Sequence, residues 1–215
     1  MKSNITVVRR VLEANETDAA QNRARADEHQ VRVVNITSAA GSGKTMLLQR
    51  SLPMLIARGT RPAVIVGDLQ TSRDAERLGE TGCPIVQINT EGGCHLSACQ
   101  IARAMDDLDL DRIDLLFIEN VGNMVCPSGF DLGEHARVAM LSTTEGDDKA
   151  AKYNTLFQPA DLIVINKMDL AEVVDYDVSR VYVDLDKINT RAARLEVSAK
   201  TGQGMAEWID DLLRL

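Results

Sequence analysis

No apolar run in this chain approaches the ~20 residues needed to span a bilayer, and the first 30 residues lack the apolar core of a secretory leader. Positive charge is also short: 24 Lys and Arg against 32 Asp and Glu leave a net charge of −8. Nucleic acid and anionic membranes both select a basic face, so neither is expected as a partner. There is no internal repeat and no low-complexity tract. From these absences the chain is expected in the cytoplasm, a reducing compartment. Its four cysteines (Cys83, Cys94, Cys99 and Cys126) are therefore expected as thiols or metal ligands rather than disulfides. What is present is ordinary globular composition, 45% apolar and 26% charged over 215 residues, enough for one complete domain and short for two.

Residues 1–30 are polar with two small apolar pairs, and read as a loosely attached helical arm. From 31 to 215 short apolar runs alternate with helical periods. The runs are Val31–Ile36, Ala63–Val66, Ile85–Ile88, Ile113–Ile118, Val138–Leu141, Leu162–Ile165 and Leu195–Val197. Helices are expected over 44–57, 72–81, 95–106, 177–188 and 204–214. Strands apolar on both faces and separated by helices imply an α/β domain: a mostly parallel sheet of about seven strands, covered by helices on both sides. Such sheets bind ligands at the carboxyl ends of their strands.

One strand end carries a phosphate loop. "VNITSAAGSGKTMLL" runs from Val34 to Leu48, with "GSGKT" between a strand and a helix. Gly41, Ser42 and Gly43 let backbone N–H groups turn around phosphates, and the helix N-terminus adds its positive end. Lys44 can reach the outer phosphates and Thr45 can ligate Mg²⁺. The loop departs from the usual pattern in having Ser38, not glycine, six residues before the lysine. Further on, "VINKMDL" (164–170) ends another strand. The Asp169 carboxylate can accept from both N1–H and N2–H₂ of guanine. Adenine offers neither donor and would leave a buried carboxylate unpaired. Lys167 is expected along the base, Asn166 as the tie between loops. "VSAKTG" (197–202) supplies Ser198, Ala199 and Lys200, the Ala199 N–H facing guanine O6.

Three acids follow strands. Asp68 and Glu119 are candidates for direct or water-mediated Mg²⁺ contact. Asp74 either positions the attacking water or caps the helix it precedes. Glu119 stands three residues before Gly122, a variant of the Asp-x-x-Gly turn that senses a third phosphate. With no arginine finger or water-orienting glutamine evident, intrinsic hydrolysis is expected to be slow, with Lys44, Asp68, Asp74 and Glu119 as the catalytic set.

The thiols divide. Cys83, at a strand entry, and Cys99, on the apolar face of a helix, fit packing roles. Cys94 and His95 follow two glycines at a strand-to-helix junction, and Cys126 lies four residues beyond Gly122. Thiolate and imidazole together suit Zn²⁺ or Ni²⁺ rather than Mg²⁺. Three ligands do not close a structural site, but a two-fold dimer would double them.

The strings "GSGKT", "GDLQTSRDAERL", "QINTEGGCHLSA", "LLFIENVGNMVCP", "FDLGE", "LSTTEGDDKAAKY", "VINKMDL" and "VSAKTGQGMAEWI" span residues 34–209. In this order they resemble the nickel-incorporation GTPases of hydrogenase maturation, the HypB family. The resemblance implies a SIMIBI-type P-loop GTPase that binds GTP or GDP with Mg²⁺ and forms a GTP-dependent homodimer. It also implies a Ni²⁺ or Zn²⁺ site at the dimer interface that falls on Cys94, His95 and Cys126. Hydrogenase maturation proteins and the hydrogenase large subunit are the partners it implies. Ala40 stands where members often have proline and Glu91 where they often have glycine. The arm has neither cysteine nor a histidine run, so the separate N-terminal nickel site and histidine-rich store of some members are not expected. The urease-accessory GTPases share the fold but carry Cys-Pro-His. A chaperone for a cobalamin-dependent mutase should lack the Cys-His pair, and a GTP-switched binding module would have no metal role.

Overall fold

The computed structural model describes residues 3–68, 73–90 and 92–215, with side chains from residue 12 onward except those of 68 and 73. All seven apolar runs form strands: β1 Arg32–Ser38, β2 Pro62–Asp68, β3 Ile85–Asn89, β4 Leu115–Glu119, β5 Ala136–Ser142, β6 Leu162–Asn166 and β7 Ala193–Glu196. They pair in the order β3-β2-β4-β1-β5-β6-β7, and each pairing is parallel. The register aligns the carboxyl ends, with Ile36 opposite Glu119 and Ser142 opposite Asn166. Every strand-end residue expected to do chemistry is thereby delivered to one edge of the sheet.

Among the described residues eight α-helices cover the sheet: α1 Ser3–Glu28, α2 Lys44–Ala57, α3 Arg73–Gly79, α4 Ala98–Asp106, α5 Lys149–Lys152, α6 Asn154–Phe157, α7 Val178–Ile188 and α8 Met205–Leu212. Successive strand residues point to opposite faces. Val34 and Ile36 meet Leu48, Leu52 and Trp208 of α2 and α8, whereas Val33 joins Ile101 and Met105 of α4. A third cluster packs Leu141 and Ile163 against Phe157, Val181 and Leu185. Trp208 is fully buried, and its indole N–H donates to Ser51 Oγ at 2.8 Å. The one-turn helices α5 and α6 are not legible in the amino-acid sequence, because four residues carry no helical period. Among the described residues no helix is long and apolar enough to cross a membrane.

The N-terminal arm is helical as expected, but its second half is not loosely attached. Ala19 and Ala26 are fully buried, Asn15 and Asn22 nearly so, and α1 packs along α4. Polar anchors hold it: Arg23 forms a two-bonded ion pair with Asp131 at 2.8 and 2.9 Å. His135 adds a second tether, 2.9 Å from Asp27.

Candidate functional site

Between β1 and α2 the chain turns through residues 39–43, with Gly41 at φ 76° and Gly43 at φ 97°, a left-handed backbone that side chains disfavour. Asn166 Nδ2 would lie 2.6 Å from a Cβ at position 43, so glycine is required for space as well. Gly43 caps α2 without a side-chain bond, leaving the helix's first N–H groups turned toward the loop. Lys44 is 7% exposed. Its ammonium donates to Ser38 Oγ at 3.0 Å and Ala39 O at 3.5 Å. Burial lowers its pKa, against the opposing charges of Glu119, Glu145 and Asp74. The serine that replaces the usual glycine therefore supplies the lysine with a partner. Ser42 Oγ stands 2.8 Å from Ala39 O and 2.5 Å from Glu145 Oε1. Burial holds the Glu145 carboxyl above its usual range, outweighing the Ser42 bond and the charges of Lys167 and Lys44.

Thr45 Oγ1 donates to Glu119 Oε1 at 2.7 Å. A hydroxyl and a buried carboxylate at the head of the loop are a hard-oxygen donor pair that fits Mg²⁺. Gly122 is pressed on the loop: a Cβ there would sit 2.6 Å from Ala40 Cα and 2.9 Å from Ala40 N. The Asp68 side chain lies outside the described residues. Because α3 begins at Arg73, Asp74 is its second residue rather than its cap, and it lines the same cavity as Lys44 and Thr45. Arg77, one turn on and 3.8 Å from Asp74, also lines that cavity. An arginine on a charged helix face carries no distinguishing local signal, so the amino-acid sequence does not reveal Arg77 as a lining residue.

The cavity, about 530 Å³, extends from Lys44 to Asp169, within the usual range for ligand pockets. Asn166 is 2% exposed and ties two loops together. Its Nδ2 donates to Ser42 O at 2.9 Å, and its Oδ1 accepts from Ala199 N at 3.1 Å. The amide expected to face guanine O6 is thus engaged within the protein. Lys167, at φ 63°, lies across the phosphate loop, its Nζ 2.7 Å from Gly41 O and 3.1 Å from Thr144 Oγ1. Asp169 Oδ1 accepts from Ser198 Oγ at 2.6 Å, and Lys200 stands 3.9 Å from its other oxygen.

Cys94, His95 and Cys126 come together at the same sheet edge. Cys94 Sγ lies 3.6 Å from His95 Nδ1. The neighbouring Cys94 thiol pushes the Cys126 thiol up, with burial adding to it, and Asn123 Nδ2 lies 3.6 Å from Cys126 Sγ. The His95 ring stacks on Phe130, with centroids 3.9 Å apart, and burial lowers its pKa toward the neutral form that ligates metals. Among the described residues no three His, Cys, Asp or Glu side chains close on one ion. Two thiols and an imidazole are donor types that suit Ni²⁺ or Zn²⁺. Cys83 packs against the core as expected. Cys99 is exposed, on the outward side of α4 rather than its apolar side.

A family model described as the CobW/HypB/UreG nucleotide-binding domain matches residues 32–196. Hydrogenase maturation factor HypB of Azotobacter vinelandii is 48% identical over 200 residues, covering 93% of this chain, which spans 65% of that relative's length. The probable hydrogenase maturation factor HypB of Methanocaldococcus jannaschii is 42% identical, over 93% of this chain and 90% of its own. A crystal structure of HypB from Helicobacter pylori in complex with nickel superposes with a TM-score of 0.89 at 39% identity, covering 94% of each chain.

Proposed function

This chain belongs to the HypB branch of the CobW/HypB/UreG family, and from that premise we propose that it is a cytoplasmic GTP-hydrolysing nickel carrier. It acts in [NiFe]-hydrogenase maturation, with hydrogenase maturation proteins and the large subunit as partners. The observation that carries the reading is the meeting of Cys94, His95 and Cys126 beside the Gly122 turn, which rests on the phosphate loop through Ala40. A segment that responds to a third phosphate therefore carries a soft metal ligand four residues away.

In this reading the cavity holds GTP, with Lys44 leaving Ser38 for the outer phosphates. Thr45 and Glu119, with Asp68, hold Mg²⁺, which neutralises phosphate charge when bound. Asp74 orients the attacking water, and hydrolysis is slow. Asp169 accepts from the guanine N1–H and N2–H₂, held in place by Ser198. Lys167 lies along the base, and guanine O6 shares the Ala199 amide with Asn166. Order imposed around Gly122 by a third phosphate completes a two-fold interface, and the two half-sites together hold Ni²⁺, or Zn²⁺, as cargo. Hydrolysis separates them.

The test is Ni²⁺ and Zn²⁺ affinity, with mass by size-exclusion chromatography, in GDP and in a non-hydrolysable GTP analogue. The parent should dimerise and bind metal more tightly with the analogue, and Cys94→Ala, His95→Ala and Cys126→Ala should each lose metal. Variants that bind metal as the parent does would reduce these residues to packing. Metal binding indifferent to nucleotide would leave a site without a switch.

A further inference from the structure

Beyond the stack of Phe130 on His95, the segment "FDLGE" (130–134) has no part in the nucleotide or metal chemistry above, yet it lies between α1 and the thiol–imidazole group. Two asparagines on α1 explain its place. Asn15 Oδ1 accepts from Ala98 N at 2.9 Å, and its Nδ2 donates to Asp131 O at 2.7 Å. Seven residues on, hence two turns along the same face, Asn22 Nδ2 donates to Ala98 O at 2.8 Å and Leu132 O at 3.0 Å. Each amide bridges the same two pieces of chain. One begins three residues after His95, and the other begins directly after Phe130, the ring on which His95 stacks. The fit is close: a Cβ at Gly133 would meet Ala19 O and Asn22 Cβ, both at 2.6 Å, and Gly133 sits at φ 91°. Arg23 adds the ion pair to Asp131 from the same helix.

We propose that α1 is a clamp for the metal half-site. Asn15 and Asn22 hold the His95 segment against the Phe130 segment, making both asparagines and Phe130 positioning residues for metal binding. The proposal rests on the metal reading above. Its physical content is preorganisation: outer partners that fix the orientation of a ligating imidazole govern metal affinity without touching the ion. Neither asparagine approaches the nucleotide cavity, so metal and nucleotide binding should part company when the clamp is cut.

The experiment uses the full chain carrying Asn15→Ala, Asn22→Ala, Arg23→Ala, Phe130→Leu or Phe130→Tyr, with His95→Ala as reference. Three quantities are measured: Ni²⁺ affinity by chelator competition, GDP affinity, and the His95 ring-proton resonances of the metal-free protein. Each asparagine variant and Phe130→Leu should bind Ni²⁺ about 10–100-fold more weakly, with GDP affinity within about twofold of the parent. Their His95 resonances should lose the ring-current shift that stacking on Phe130 imposes. Phe130→Tyr, which keeps the ring, should restore both readouts. Arg23→Ala removes a tether without opening the core, and should move both in the same direction by less. Parental Ni²⁺ affinity in the asparagine variants overturns the proposal, as does a parallel loss of Ni²⁺ and GDP binding, which would mean general destabilisation. If His95→Ala itself binds Ni²⁺ as the parent does, the metal reading fails, and the role in metal binding with it. Unmoved His95 resonances in the asparagine variants would refute the clamp separately.

Discussion

Replacing Asn166 by alanine should destabilise the protein well beyond what the loss of one small side chain suggests. Both ends of the amide are spent on backbone groups, Ser42 O at 2.9 Å and Ala199 N at 3.1 Å, and the residue is 2% exposed. Stranding a buried donor or acceptor costs about 1–3 kcal/mol, so two stranded groups cost roughly 2–6 kcal/mol before relaxation. The adjoining cavity admits water to one of them, which brings the expectation to about 3 kcal/mol. For a chain of this size each kcal/mol lowers Tm by about 2–4 °C, so the drop should be about 6–12 °C. Urea denaturation with an unchanged m-value measures the same quantity independently. Asn166→Asp sharpens the test. It keeps the acceptor toward Ala199 but sets a carboxylate oxygen against Ser42 O, and should cost at least as much as alanine at neutral pH. A loss below about 1 kcal/mol for Asn166→Ala, or an aspartate tolerated better than alanine, would refute the reasoning.

Glu145 has a carboxyl pKa raised by burial above the usual 4.5. A group held more tightly protonated in the folded state adds stability below its unfolded pKa and loses it as pH rises through the folded value. The Glu145 contribution should therefore fall as pH climbs from about 4.5, so the urea midpoint of Glu145→Gln should rise relative to the parent's over that range; a difference that does not change with pH would remove the group from the account. Asn189 binds Phe157 O at 2.9 Å and Ala160 O at 2.8 Å, and accepts from Arg191 N and Ala192 N, both at 3.0 Å. Asn189→Ala should cost about 3 kcal/mol in thermal or urea unfolding without altering nucleotide affinity. Gly122→Ala drives a methyl into the Ala40 backbone. It should leave the fold intact while weakening nucleotide binding by about tenfold or more, ~1.4 kcal/mol by titration calorimetry.

The strands were legible because each of them, four to seven residues long, contains or adjoins a short apolar run that needs no knowledge of its neighbours. The longer helices were legible within a few residues of their ends. α4 starts at Ala98 rather than at residue 95 because Ser97 and Gln100 form a reciprocal cap there. Cys99 lies outside the apolar side expected for it because a nine-residue helix has room for a stripe that bypasses it: Ala98, Ile101, Ala104 and Met105 fill the buried side. In α1, Asn15, Ala19, Asn22 and Ala26 repeat at helical spacing. A stripe of small and amide side chains has little hydrophobicity to reveal it, so the arm read as loose.

The amino-acid sequence alone determined which segments are strands, where the candidate phosphate and base loops stand, that Cys126 follows the Gly122 turn, and that Cys94 and His95 follow a pair of glycines. Those features are set by residues adjacent in the chain. The strand order, the docking of α1, the pairing of Ser42 with Glu145 and the stack of His95 on Phe130 were decided only by the tertiary structure. Asn15 finds Asp131 across 116 residues, and Asn166 finds Ser42 across 124. Which of many buried carbonyls an amide will satisfy depends on how the elements pack, and no local period carries that information.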